Sequence, residues 1–152
     1  MSRRLQDEKD IERLIELGRQ MHAESRYADL PFDEDHIRRY CIQSLHEPDK
    51  IGIFIEANVV RVLAAIALFR VPYYFAPSES YASDFMLYVA PDKRGGRGAR
   101  NCLKRAERWA REYGMREILL GITAGIDDVK AERFYAIHGY RPLGRFMVKE
   151  FS

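Results

Sequence analysis

From Asp7 onward the apolar residues recur with a helical period. Ile11, Leu14, Ile15, Gly18, Met21 and His22 share one face of a helix running to about Arg26, with Asp7 and Asp10 offering capping oxygens at its start. Residues 3–6 predict a short strand before it. Tyr27-Ala28-Asp29-Leu30-Pro31-Phe32-Asp33 interrupts the pattern, and a second helix follows from about Glu34 to Leu45. The period then changes. Ile51 to Ala57 is rich in β-formers, Asn58 suits a tight turn, and Val59 to Val71 reads as a long strand apolar on both faces. Pro72 to Ser78 reads as an aromatic loop, and residues 81–90 as a strand stopped by Pro91.

The helical period returns over Gly98–Tyr113. Ala99, Cys102, Leu103, Ala106, Trp109, Ala110 and Tyr113 form its apolar stripe, and Gly114 stands where a left-handed cap is wanted. Glu117 to Ile122 predicts a strand. Asp127 or Asp128 caps a last helix through about Ile137, closed by Gly139, and Tyr140 to Phe151 predicts a final strand or hairpin. The order β-α-α-β-β-β-α-β-α-β belongs to the α/β class with a mixed sheet.

Composition narrows the function classes. The 152 residues suit one domain over 1–152, and 47% hydrophobic with 32% charged residues suits a folded soluble chain. Apolar runs fall short of the roughly 18 residues of a membrane helix, and the N-terminal residues lack a secretory apolar stretch. We therefore expect a cytoplasmic protein with no membrane partner. Cys41 and Cys102 form no CxxC pair and read as reduced, structural thiols. A net charge of +2 is too balanced for a protein that coats nucleic acid, and the aromatics at 73–75 are too few for a stacking platform. Positive charge gathers instead between Lys93 and Arg116.

The chemistry concentrates in Asp84 to Ala99, an apolar strand leading through a basic, glycine-rich turn into a helix. Glycines permit tight turning and close approach, and the free N–H groups of a helix start favour an anion. Arg94, Arg97 and Arg100 surround the same spot. No Gly-Lys-Ser/Thr follows, so this is not a P-loop; GxGxxG spacing and the later acidic ribose ligand of a dinucleotide fold are missing too. A second signal is Glu132-Arg133-Phe134-Tyr135-Ala136-Ile137-His138-Gly139-Tyr140, where the Tyr135 hydroxyl is a candidate proton donor. His22-Ala23-Glu24 lacks the PCxxC partner of zinc deaminases, and His36, His46 and His138 show no ligand spacing, so no metal site is expected.

Together these features resemble the GNAT N-acetyltransferase superfamily over nearly the whole chain. Val89-Ala90-Pro91 leads into Arg94-Gly95-Gly96-Arg97-Gly98-Ala99, similar to the family's Arg/Gln-x-x-Gly-x-Gly/Ala turn. Arg94 and Ala99 match its ends, and Arg97 replaces its central glycine. An alternative register begins at Lys93 and puts Gly96 and Gly98 on the two glycines. Phe134, Tyr135, Gly139 and Tyr140 match a later family motif, with Asp128 where asparagine is common.

The resemblance implies a mixed, mostly antiparallel central sheet flanked by helices. It also implies acetyl-CoA as cofactor and direct acetyl transfer to a primary amine. The cofactor would lie where the strand at Phe85–Val89 splays from that at Ile118–Ile122. Backbone groups of Leu87, Tyr88 and Val89 would hold the pantetheine, and residues Arg94, Gly95, Gly96, Arg97, Gly98, Ala99 and Arg100 the pyrophosphate. Arg97 would point out of the turn towards the 3′-phosphate. Asp128 and Phe134 complete the cofactor contacts. Tyr135 would protonate the thiolate, and Asp84, or else Glu79, would deprotonate the amine. The acceptor would be lined by His22, Glu24, Tyr27, Phe32, Tyr73 and Tyr74. Dimers are frequent among such enzymes, so a homodimer is expected. A non-catalytic acyl-CoA-binding regulatory module on the same fold is the competing reading.

Overall fold

The computed structural model describes residues 1–151. Five strands make one sheet in the order β1-β2-β3-β4-β5. They are β1 (Ser2–Arg4), β2 (Ile51–Ala57), β3 (Val62–Tyr73), β4 (Ala76–Val89) and β5 (Ile118–Leu119). All neighbours are antiparallel except β4 and β5, which run parallel. Helices α1 (Glu8–Glu24) and α2 (Glu34–His46) precede β2. Helix α3 (Gly98–Glu112) lies between β4 and β5, and α4 (Asp128–Ile137) follows β5.

The alternation of side chains along the strands separates two cores. On β3, Ala65 and Ala67 face Ile11, Leu14, Ile15 and Leu17 of α1 and Cys41 of α2. Ala64, Ile66 and Leu68 face Cys102, Leu103, Ala106 and Trp109 of α3. Both faces of β3 are thus covered, which is why its sequence is apolar throughout. Trp109 anchors α3, its indole N–H donating to the Pro48 carbonyl at 2.7 Å. Gly52 admits the ring: a Cβ there would stand 2.7 Å from Trp109 Cδ2.

The helix starts follow the expected chemistry. Asp7 accepts the Asp10 N–H at 2.9 Å, Asp33 accepts the His36 N–H at 3.0 Å, and Asp127 caps α4. Asp10 has a different task from the cap read in the sequence. It is 2% exposed and pairs with Arg3, tying β1 to α1, and that hydrogen bond holds its carboxyl below the ordinary range.

Four boundaries depart from the sequence reading. The Pro72–Ser78 loop is instead a hairpin: β3 continues to Tyr73, β4 begins at Ala76, and Tyr74-Phe75 make the turn. The first of these strands starts at Val62, because Asn58 Oδ1 accepts the Val60 and Arg61 N–H groups at 2.8 Å and prolongs the turn. The strand expected over 117–122 shrinks to two residues. The expected final strand does not form, and residues 141–151 carry no regular structure. Pro142 lacks an N–H for a ladder, Gly144 weakens strand formation, and β5 is too short to template a long partner.

Candidate active site

The parallel pairing of β4 with β5 covers only Ala82↔Ile118 and Ser83↔Leu119. Beyond that the two segments diverge. Phe85 to Val89 and Gly121 to Ala124 line opposite sides of a cavity of about 900 Å³, bounded also by α1, α4 and the 93–99 turn. A bulge sets the side chains at the fork. Ala67 pairs with Met86 but Leu68 pairs with Asp84, so Phe85 is the extra residue. Phe85 and Met86 both join the α1–α2 core, whereas Leu87 joins the α3 core.

Asp84 stands at the crotch of the fork. Its Oδ1 accepts the Gly121 N–H at 2.8 Å, bridging the strands just past their last pairing. Burial pushes its carboxyl up to about 6, against the lowering effect of that N–H. Tyr135 of α4 lines the same cavity at 8% exposure. Burial first, and the Asp84 charge second, push its phenol well up, so it keeps its proton throughout the neutral range.

The turn after β4 is built for close approach. A short 3-10 turn over Pro91–Lys93 leads to Gly95, whose φ of +86° is left-handed. Gly98 opens α3 against the sheet, where a Cβ would meet that of Ala64 at 3.0 Å. The first helical bond runs from the Asn101 N–H to the Arg97 carbonyl, at 2.9 Å. The N–H groups of Gly98, Ala99 and Arg100 therefore have no helical acceptor. Arg97 at the cap offers them no side-chain oxygen, and the first turn carries no acid. Such a set of free donors at a helix start favours an anion. Arg97 and Arg100 are exposed beside it.

Arg94 folds back towards the cleft. Its guanidinium lies 5.2 Å from the centre of the Tyr88 ring, and both terminal nitrogens donate to Glu24 at 2.7 Å. The Tyr88 hydroxyl donates to the same carboxylate. Arg94 holds the Glu24 carboxyl below its usual range; burial, with Glu24 adding to it, pushes the Tyr88 phenol up to about 12. The end of α1 and the glycine turn are thereby joined by charge-assisted bonds.

Leu87, Tyr88, Val89, Arg94, Gly95, Gly96, Ala99, Asp128, Phe134 and Tyr135 all line the cavity, as do His22, Tyr27 and Phe32. Glu24 faces Arg94 instead of the acceptor side. Tyr73 and Tyr74 are elsewhere: Tyr73 donates to Glu117 at 2.7 Å, and Tyr74 is 96% exposed at the hairpin tip. The hairpin replaced the loop that would have carried them inward. Glu79 is engaged by Arg116 at 2.8 Å on the outer surface. The sequence reading overlooked Gly121, Thr123 and Lys130, which line the cavity. A glycine directly after Ile118-Leu119-Leu120 was an available sign of close backbone approach.

Comparison with known proteins agrees with this geometry. The profile of the Acetyltransferase (GNAT) family matches residues 11–140. A predicted acetyltransferase of Clostridium acetobutylicum, solved with acetyl-CoA, superposes with a TM-score of 0.73 at 20% identity, covering 99% of this chain and 95% of that one. Glucosamine-6-phosphate N-acetyltransferase of Arabidopsis thaliana gives 0.76 at 14% identity, with 100% and 98% covered. An acetyltransferase of Trypanosoma brucei gives 0.72 at 16%, with 99% of each chain covered. No curated protein matches the sequence. The fold is that of these acetyltransferase structures. The chain belongs to the GNAT acetyltransferase family, and acetyl-CoA is its acetyl donor.

Proposed function

We propose that this protein transfers the acetyl group of acetyl-CoA directly to a primary amine. Asp84 acts as the base and Tyr135 as the donor to the leaving sulfur. The observation that carries this reading is that Asp84, fixed at the fork by the Gly121 N–H at 2.8 Å, and the buried Tyr135 phenol line the same cavity; burial raises the carboxyl and keeps the phenol protonated. Bound acetyl-CoA supplies a thioester, whose carbonyl carbon takes the amine nitrogen as its carbon–sulfur bond breaks. Asp84, ionised above pH 6, takes the proton the amine sheds. Tyr135 gives a hydrogen bond, and finally a proton, to the departing sulfur, and the proton Asp84 took from the amine returns through solvent to Tyr135, which restores both groups. Because the Tyr135 phenol is a weak acid, its larger contribution is stabilising the thiolate as charge develops.

The backbone of Leu87, Tyr88 and Val89 orients the pantetheine. The amides at Gly98–Arg100, with Arg94, Gly95 and Gly96, take the pyrophosphate; Asp128 and Phe134 complete the cofactor's contacts. The acceptor enters past His22, Tyr27 and Phe32. Cys41 also lines the cavity, but burial pushes its thiol up to about 11. It is a poor nucleophile, which favours direct transfer over an acyl-cysteine. Thiol release measured with acetyl-CoA over a panel of amines tests the reading: Asp84→Asn should cut turnover by about 100-fold or more. A variant as fast as the wild type would remove Asp84 from the chemistry.

The same reading takes 1–152 as one domain, cytoplasmic, with its two buried cysteines reduced. It also takes the protein as a homodimer. Support comes from Leu143, Phe146, Met147, Val148 and Phe151, large apolar side chains each exposed in the segment after α4. Light scattering should return twice the chain mass; a monomer at micromolar concentration would refute it.

A further inference from the structure

The cavity is two-sided in its chemistry. Its mouth carries Lys93, Arg94, Asp127, Asp128 and Lys130 around the glycine turn and the start of α4. Its inner lobe runs under α1 towards α2 and is walled by Leu14, Met21, Phe32, Ile37, Cys41 and Phe85. Met21, Phe32, Ile37 and Phe85 are half-buried and face the open space, whereas Leu14 and Cys41, 3% and 1% exposed, form its closed floor. The raised thiol of Cys41 makes it an uncharged apolar wall. Among the described residues that line the cavity, Asp84 at the fork is the one carboxyl away from the mouth. His22 is part of the wall, and its Nε2 is buried without a hydrogen-bond partner among the described residues. The His22 ring leans on Phe32, with centroids 5.3 Å apart.

We propose that the lobe binds the body of the acceptor, and that the acceptor is a primary amine on an aromatic or branched aliphatic group. This rests on the acetyl-transfer reading above and narrows it. A polycation such as an aminoglycoside or polyamine needs several carboxylates along its length, and the lobe wall has none. A phosphorylated amino sugar needs cations and hydroxyl partners there, and the lobe's cations sit at the other end, beside the cofactor turn. An apolar body instead gains from leaving water, while its amine stays at the fork beside Asp84.

The test is a comparison of kcat/KM at saturating acetyl-CoA for 2-phenylethylamine and isopentylamine against spermidine and glucosamine. The apolar amines should win by about tenfold or more, the discrimination typical of an apolar pocket. Gly18→Leu should project into the lobe, since a Cβ at Gly18 stands only 3.5 Å from Phe32 Cζ. It should lower kcat/KM for 2-phenylethylamine by about tenfold and leave the affinity for acetyl-CoA unchanged, which also reports that the variant is folded. Faster turnover of spermidine or glucosamine would overturn the proposal and leave acetyl transfer standing. So would a preference for butyryl-CoA over acetyl-CoA with a small amine, since the lobe would then hold the acyl chain. Turnover of no amine of either kind, with acetyl-CoA bound, would instead refute the acetyl-transfer reading itself.

Discussion

Replacing Asp84 by Asn should make the protein more stable while disabling it. The Asp84 carboxyl is raised from 3.8 to about 6, chiefly by burial. Between those two pH values the folded protein holds a proton that the unfolded chain has released, so stability falls as pH rises through that window. Above it the cost is constant, and a shift of about two units corresponds to about 3 kcal/mol, an upper bound. Asparagine is neutral at every pH, and its carbonyl can still accept the Gly121 N–H that Asp84 accepts at 2.8 Å. Asp84→Asn should therefore gain up to about 3 kcal/mol at pH 8 and nothing at pH 3.5. For a chain of this length that is a rise in melting temperature of up to about 6–12 °C at pH 8. Urea unfolding at the two pH values measures it. A variant less stable than the wild type at pH 8, or a difference independent of pH, would refute the argument that Asp84 is held in the fork at the expense of stability.

Tyr135→Phe should lower turnover by about 100-fold and leave the dissociation constant for acetyl-CoA within error, as read by calorimetry and steady-state kinetics. Arg97→Gly should weaken acetyl-CoA about two- to fivefold, the worth of one exposed charge, with no effect on a donor lacking the 3′-phosphate; equal affinities for both proteins would make Arg97 a bystander. Gly52→Ala should cost about 1–3 kcal/mol in urea unfolding, because its methyl group would enter the Trp109 ring face; an unchanged midpoint would show that the ring moves aside freely.

Much of this arrangement could be read from residue spacing, and the misses share a cause. The stripes of α1 and α3 and the caps at Asp7 and Asp33 depend on neighbours within a turn or two, so local pattern was enough. The glycine turn was legible because its residues contribute mostly backbone. Asp84 was found as a candidate, but its face could not be, since the bulge at Phe85 is defined only by what β3 pairs with. The pairing of Glu24 with Arg94 joins residues 70 apart in the chain and leaves no local trace. Tyr73 and Tyr74 were drawn to the acceptor by their aromatic character, although the hairpin carries them to the far end of the sheet. The tail after Gly139 has strand-like composition, yet Pro142 and the two-residue β5 leave it without a ladder. Context, not composition, decided each of these.

Direct transfer with Asp84 as the base is tested most directly by the pH dependence of kcat/KM for acetyl-CoA-dependent acetylation of a primary amine, followed by coenzyme A thiol release with the product identified by mass. It predicts one thiol released per N-acetylated amine and an ascending limb centred at about pH 6, set by Asp84, that disappears in Asp84→Asn. Thiol release that does not depend on the amine, or the same limb surviving in Asp84→Asn, would contradict it.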